Sequence, residues 1–121
     1  MKLAILGSAG MIGQEILSQL NAGSGPEISR LIACDVISTP VASPLAERTV
    51  EVVGTVTEPS AVAAVLDQRP DCIIHLASVV SGEAETNFEK GYTINFDATY
   101  AMLEEIRRLN ASEGYRPKFV F

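Results

Sequence analysis

The sequence predicts a doubly wound α/β fold, a parallel sheet in strand order 3-2-1-4-5 with helices on both faces. Three observations predict it. Short apolar runs alternate with helical stretches, a glycine-rich loop follows the first run, and an aspartate ends the second. Strands joined through helices are parallel with right-handed crossovers, and nearly continuous apolar strands suit a sheet covered on both sides.

Lys2–Leu6 reads as a buried strand running into the loop at 7–13. Met11–Asn21 then carries apolar residues at 12, 16, 17 and 20, a helical period. Gly23–Pro26 breaks the chain before a second strand, Ser29–Cys34, which ends at Asp35. Residues 37–47 hold two prolines and no clear period, so they read as loop. Arg48–Val53 alternates like a strand. Pro59 fits a helix start, with Glu58 or Thr57 as cap, and Ser60–Gln68 places Val62, Val65 and Leu66 on one face. Arg69-Pro70 stops that helix ahead of a fourth strand, Asp71–Leu76. A long helix is expected from Glu85 to Asn110, with Phe88, Tyr92, Asn95, Thr99, Met102, Ile106 and Leu109 along one side. Gly114 closes it, and Pro117–Phe121 opens a fifth strand.

A chain of 121 residues with 47% hydrophobic content fits one packed domain. The net charge of −6 and scattered basic residues argue against a nucleic-acid partner. No apolar run approaches the roughly 18 residues of a membrane span, and the N-terminal apolar stretch is only strand length. A cytoplasmic location without membrane association is therefore expected. Cys34 and Cys72 fall at opposite edges of the sheet, about 15 Å apart and too far for a disulfide. With one histidine and no ligand spacing, no metal site is expected.

The loop carries the strongest functional signal. Gly7, Gly10 and Gly13 follow a strand and open a helix: Gly7 allows the tight turn, Gly10 lets the backbone approach a pyrophosphate, and Gly13 lets helix and strand pack closely. Free N–H groups at the helix start then face the anion. Asp35, ending the second strand, suits ribose hydroxyls and repels a 2′-phosphate, which favours NAD over NADP. This is a Rossmann-type nucleotide site. His75, inside an apolar strand, reads as a core histidine.

Together, Gly7-x-x-Gly10-x-x-Gly13, Asp35, His75-Leu76-Ala77-Ser78 and Tyr92-x-x-Asn95-Phe96-Asp97-Ala98-Thr99 resemble the extended short-chain dehydrogenase/reductase family of NAD-dependent epimerases, dehydratases and sugar dehydrogenases. Within it, Val79-Val80-Ser81-Gly82-Glu83-Ala84-Glu85 is similar to the loop of the D-erythronate dehydrogenase group, which oxidises a four-carbon sugar acid. The resemblance implies backbone contacts from Ser8, Met11 and Ile12 to the pyrophosphate. It also implies that Leu76, Ala77 and Ser78 run beside the cofactor, and that Asn95 helps order the active site. From the residues alone, an Asn on an apolar stripe is costly unless hydrogen-bonded, which fits a structural as well as a catalytic role. Ser81 and Glu83 suit contacts to a sugar acid; equally, Ser81 reads as a loop residue and Glu83 as an acid complementing the long helix's dipole.

Two features depart from the family. Where its members carry an Asp–hydrophobic pair after the third strand, this sequence has Thr55-Val56. The family's proton-transfer pair is a Tyr with a Lys four residues on, but Tyr92, Tyr100 and Tyr115 are followed at that offset by Phe96, Glu104 and Phe119. The resemblance places that pair and its partner Ser beyond Phe121. Residues 1–121 are thus expected to be the NAD-binding portion of a longer enzyme, truncated at the fifth strand and lacking the substrate part. The implied whole is a homodimeric dehydrogenase of a small sugar acid. The alternatives are a nucleotide-sugar epimerase or dehydratase and a non-catalytic dinucleotide-binding chain.

Overall fold

The computed structural model describes residues 1–79 and 85–121. Five parallel strands form one sheet in the order β3-β2-β1-β4-β5: β1 (Lys2–Leu6), β2 (Arg30–Asp35), β3 (Thr49–Val53), β4 (Cys72–His75) and β5 (Lys118–Val120). The expected strand order is the observed one, with ends shifted by one or two residues. Arg48 belongs to a 3-10 turn, Leu45–Arg48, and not to β3.

Alternation along β1 and β2 divides the core into two layers. Leu3, Ile5, Leu31 and Ala33 face α1 (Met11–Asn21), meeting Leu17 there and Leu45 from the segment before β3. Ala4, Leu6, Ile32 and Cys34 face the other way, onto Val62, Val65 and Leu66 of α2 (Pro59–Leu66) and onto Ala98 and Met102. Glu58 occupies the cap position of α2 without a side-chain cap bond. The two cysteines are free; Cys34 is level with Leu6 on β1 and Cys72 with Leu3, so they sit at opposite ends of the sheet.

The long helix differs from the expected one. It runs as α3 (Phe88–Tyr92), a π-helical turn (Thr93–Asp97) and α4 (Ala98–Glu113), ended by Gly114 at φ 74°. In the π turn the Ala98 N–H reaches back to Thr93 O. One extra residue in a turn rotates the helix on its N-terminal side by about 100° relative to the helix on its C-terminal side. The single apolar face read from the sequence is therefore split. Ala98 and Met102 enter the core, whereas Phe88 and Tyr92 join Phe96, Tyr100 and Leu103 in a row exposed to solvent.

Candidate functional site

A cleft of about 470 Å³ opens where the strands end. Its walls are Gly7, Ala9 and Gly10 after β1, Asp35, Val36 and Ile37 after β2, Gly54, Thr55 and Val56 after β3, Leu76, Ala77, Ser78 and Val79 after β4, and Lys90 and Ile94 from the long helix. A larger hollow of about 600 Å³ lies between α2 and α4, but it contains no part of the glycine loop. The strand-edge cleft gathers backbone donors, a carboxylate and the ends of four strands, as ligand sites of open α/β sheets do.

Each glycine of the loop has its own reason. Gly7 stands at φ 86°, and a Cβ there would come within 2.8 Å of Ala77 N on the facing wall. A Cβ on Gly13 would fall 2.5 Å from Gly7 O, inside the loop-to-helix packing. At exposed Gly10 the nearest atom to a Cβ would be Gly7 O at 3.3 Å, so the space it leaves is open towards the cleft. That is the cradle a dinucleotide pyrophosphate needs, and the residues present fit such a ligand.

Asp35 sits across from the loop. Its Oδ2 accepts the Ala9 N–H at 2.9 Å and its Oδ1 the Val36 N–H at 2.7 Å. Both N–H groups are thus already held by the carboxylate. Thr55 lines the same end of the cleft, its hydroxyl 3.1 Å from that of Thr57.

Of the residues singled out from the sequence, Gly7, Gly10, Asp35, Leu76, Ala77 and Ser78 line the cleft together. Ser8 is fully buried and turned away, its Oγ 2.7 Å from Thr39 Oγ1. Met11 and Ile12 lie in the first turn of α1, with Met11 87% exposed. Ser81 and Glu83 lie outside the described residues.

Asn95 sits in the π turn and grips the exit of β4. Its Oδ1 accepts the Val79 N–H at 2.8 Å and its Nδ2 donates to Val79 O at 3.0 Å. Behind it, Thr99 Oγ1 is within hydrogen-bond reach of Asn95 O and lies 3.2 Å from His75 Nε2. With the single hydroxyl proton of Thr99 directed at Asn95 O, the contact with His75 is one in which the imidazole Nε2–H donates; with that proton directed at Nε2, the imidazole accepts. The imidazole is buried edge-on against Phe119, and burial holds its pKa below the ordinary value.

Sequence reasoning missed Val36, Ile37, Val79, Lys90 and Ile94 on the cleft wall. Lys90 and Ile94 stand four apart on one side of the long helix, a spacing that could have paired them. Thr39 and Glu51 left no comparable signal, because their partners are distant in sequence.

The model of the NAD-dependent epimerase/dehydratase family matches residues 3–121. The chain belongs to that family. Its cofactor is NAD, and the family's dehydrogenases and epimerases share this Rossmann-type scaffold. D-erythronate dehydrogenase of Cupriavidus necator is 33% identical over 129 aligned positions, covering all of this chain and 38% of that protein. D-erythronate dehydrogenase of Haemophilus influenzae is 32% identical over 121 positions, covering all of this chain and 37% of that protein. Among solved structures, the nucleoside-diphosphate-sugar epimerase of Agrobacterium tumefaciens superposes with a TM-score of 0.87 at 34% identity, over all of this chain and 36% of that one. The chain thus spans well under half the length of these relatives. Among its described residues, no helix is long and apolar enough to cross a membrane and no acidic, His or Cys cluster could hold a metal ion.

Proposed function

We propose that these residues form the cofactor-binding part of an NAD-dependent dehydrogenase of a small sugar acid, D-erythronate or a close relative. The observation that carries this reading is the likeness to two D-erythronate dehydrogenases along the whole chain. Bound NAD would supply the hydride acceptor. The chain's own residues would bind and orient. Gly7, Gly10 and the start of α1 receive the pyrophosphate, Asp35 the adenosine ribose, and Leu76, Ala77 and Ser78 form the floor. Asn95 fixes Val79 on the cleft wall. Ser81 and Glu83 are the proposed substrate contacts. The base that takes the alcohol proton is assigned to a Tyr-Lys pair in the portion of the relatives that this chain does not span.

The test is NADH formation by the intact protein on D-erythronate and other tetronates. Turnover with NAD supports the reading. Turnover confined to nucleotide-linked sugars would replace it with an epimerase or dehydratase, a reading favoured by the likeness to the Agrobacterium enzyme. Homodimerisation is proposed as well, supported by the exposed row Phe88, Tyr92, Phe96, Tyr100 and Leu103. A monomer in light scattering, or a dimer that withstands Phe96→Glu, would remove that row as the interface.

A further inference from the structure

Besides the backbone bonds from the Gly7 and Ser8 N–H groups to Cys34 O at 2.8 and 3.2 Å, two side-chain ties join the glycine loop to the end of β2 and the segment after it. One lies in the cleft, where the Ala9 N–H donates to Asp35 Oδ2. The other lies behind it and is dry: Ser8 Oγ meets Thr39 Oγ1 at 2.7 Å, with Ser8 0% and Thr39 7% exposed. Thr39 is itself anchored, since its N–H donates to Glu51 Oε1 on β3 at 2.6 Å and Ser38 Oγ donates to the same oxygen at 2.8 Å. Gln14 Nε2 adds a brace from α1 through Ser8 O and Pro40 O. No α-helix makes the β2-to-β3 connection, so these side-chain bonds hold the segment that carries Val36 and Ile37 into the cleft.

The two ties fare differently when cofactor arrives. Ribose hydroxyls arriving from the cleft would compete with the Ala9 N–H for the Asp35 oxygens. The Ser8–Thr39 tie faces away and is not touched. We propose that Thr39 is a positioning residue for NAD, its hydroxyl holding the glycine loop in register with Asp35 while that carboxylate turns to the ribose. Such preorganisation raises affinity without a contact to the ligand. The inference rests on the NAD site and not on the choice of substrate.

Three variants of the intact protein test it, with NAD and NADP affinities from calorimetry and melting followed in parallel. Thr39→Val strands the Ser8 hydroxyl and is expected to weaken NAD by about tenfold, with a smaller effect on NADP, so that discrimination narrows. Thr39→Ser is expected to restore both. Ser8→Ala with Thr39→Val removes both polar partners, which returns stability towards the parent, yet NAD affinity is expected to stay low. Equal weakening of NAD and NADP, failure of Ser to rescue, or recovery of NAD affinity in the double variant would each overturn the proposal and leave Thr39 a purely structural residue.

Discussion

The Asn95 carboxamide takes both backbone groups of Val79, accepting its N–H at 2.8 Å and donating to its C=O at 3.0 Å. The segment after β4 is thereby held by the long helix as it would be by a neighbouring strand. Asn95→Ala releases both groups, and the expected cost is about 1–3 kcal/mol by thermal melting. NAD affinity should fall with it, because Val79 is part of the cleft wall. Asn95→Asp keeps the acceptor alone and should lie between the two. An alanine variant that melts and binds like the parent would show that the grip holds nothing.

Asp35→Ala removes the acceptor of the Ala9 and Val36 N–H groups and frees both donors. NAD should bind at least tenfold more weakly, in line with lost hydrogen bonds to a charged group. NADP should lose less, since a 2′-phosphate no longer meets a carboxylate. Titration with the two cofactors decides it: equal affinity for both in the unmutated protein would end the assignment of Asp35.

Gly10 and Gly13 separate binding from folding. A side chain on Gly13 would begin 2.5 Å from Gly7 O, so Gly13→Val should lower the melting temperature and abolish NAD binding together. Gly10→Val projects into open space on the cleft side, so the fold should persist while the pyrophosphate is excluded. A Gly10 variant that still binds NAD would reduce the loop to a simple turn.

Much of this was legible in the sequence, for physical reasons visible in particular residues. The strand order followed from apolar runs such as Leu3–Leu6, each buried on both faces, and Gly7 and Gly13 stood out because a side chain at either would meet backbone atoms within 2.8 Å. What escaped depends on long-range pairing. Nothing local marks Thr39 as the partner of Ser8, or Glu51 as the anchor of Thr39. The π turn was also invisible: the spacing from Phe88 to Leu109 suits a regular helix, and only the hold of Asn95 on Val79 coincides with the extra residue that swings Phe88 and Tyr92 into solvent.

His75 predicts a pH dependence. Burial lowers its pKa below the ordinary value of 6.5, so the unfolded chain takes up the proton first as pH falls. The stability contributed by the neutral, buried ring is complete above the unfolded value. It declines as pH drops from there towards the lower folded value. Melting temperature should therefore fall as pH drops below the ordinary value of 6.5 in the parent, and His75→Gln should flatten that part of the curve. An unchanged slope in the variant would show that other groups govern it.

The last expectation concerns proton transfer. Base catalysis by a positioned group contributes about 10²–10⁴-fold, and it requires a group that can take a proton near neutral pH. Among the described cleft residues the titratable side chains are Cys34, Asp35 and Lys90. Burial and the neighbouring Asp35 push the Cys34 thiol up to about 11. The Asp35 carboxylate is occupied by two N–H donors at the end of the cleft where the ribose is expected. Of the tyrosines, Tyr115 is pushed up to about 12 by burial and donates to Pro70 O at 2.7 Å, while Tyr92 and Tyr100 sit on the exposed helical row. His75 is spent on Thr99, in the core. A polypeptide of residues 1–121 should accordingly produce no NADH from D-erythronate under saturating NAD, whether or not it binds the cofactor. Absorbance of NADH is the direct measure. Turnover at rates ordinary for a dehydrogenase would mean that one of these groups acts as the base, and Asp35→Asn, Cys34→Ala, Lys90→Met and His75→Gln would then identify which.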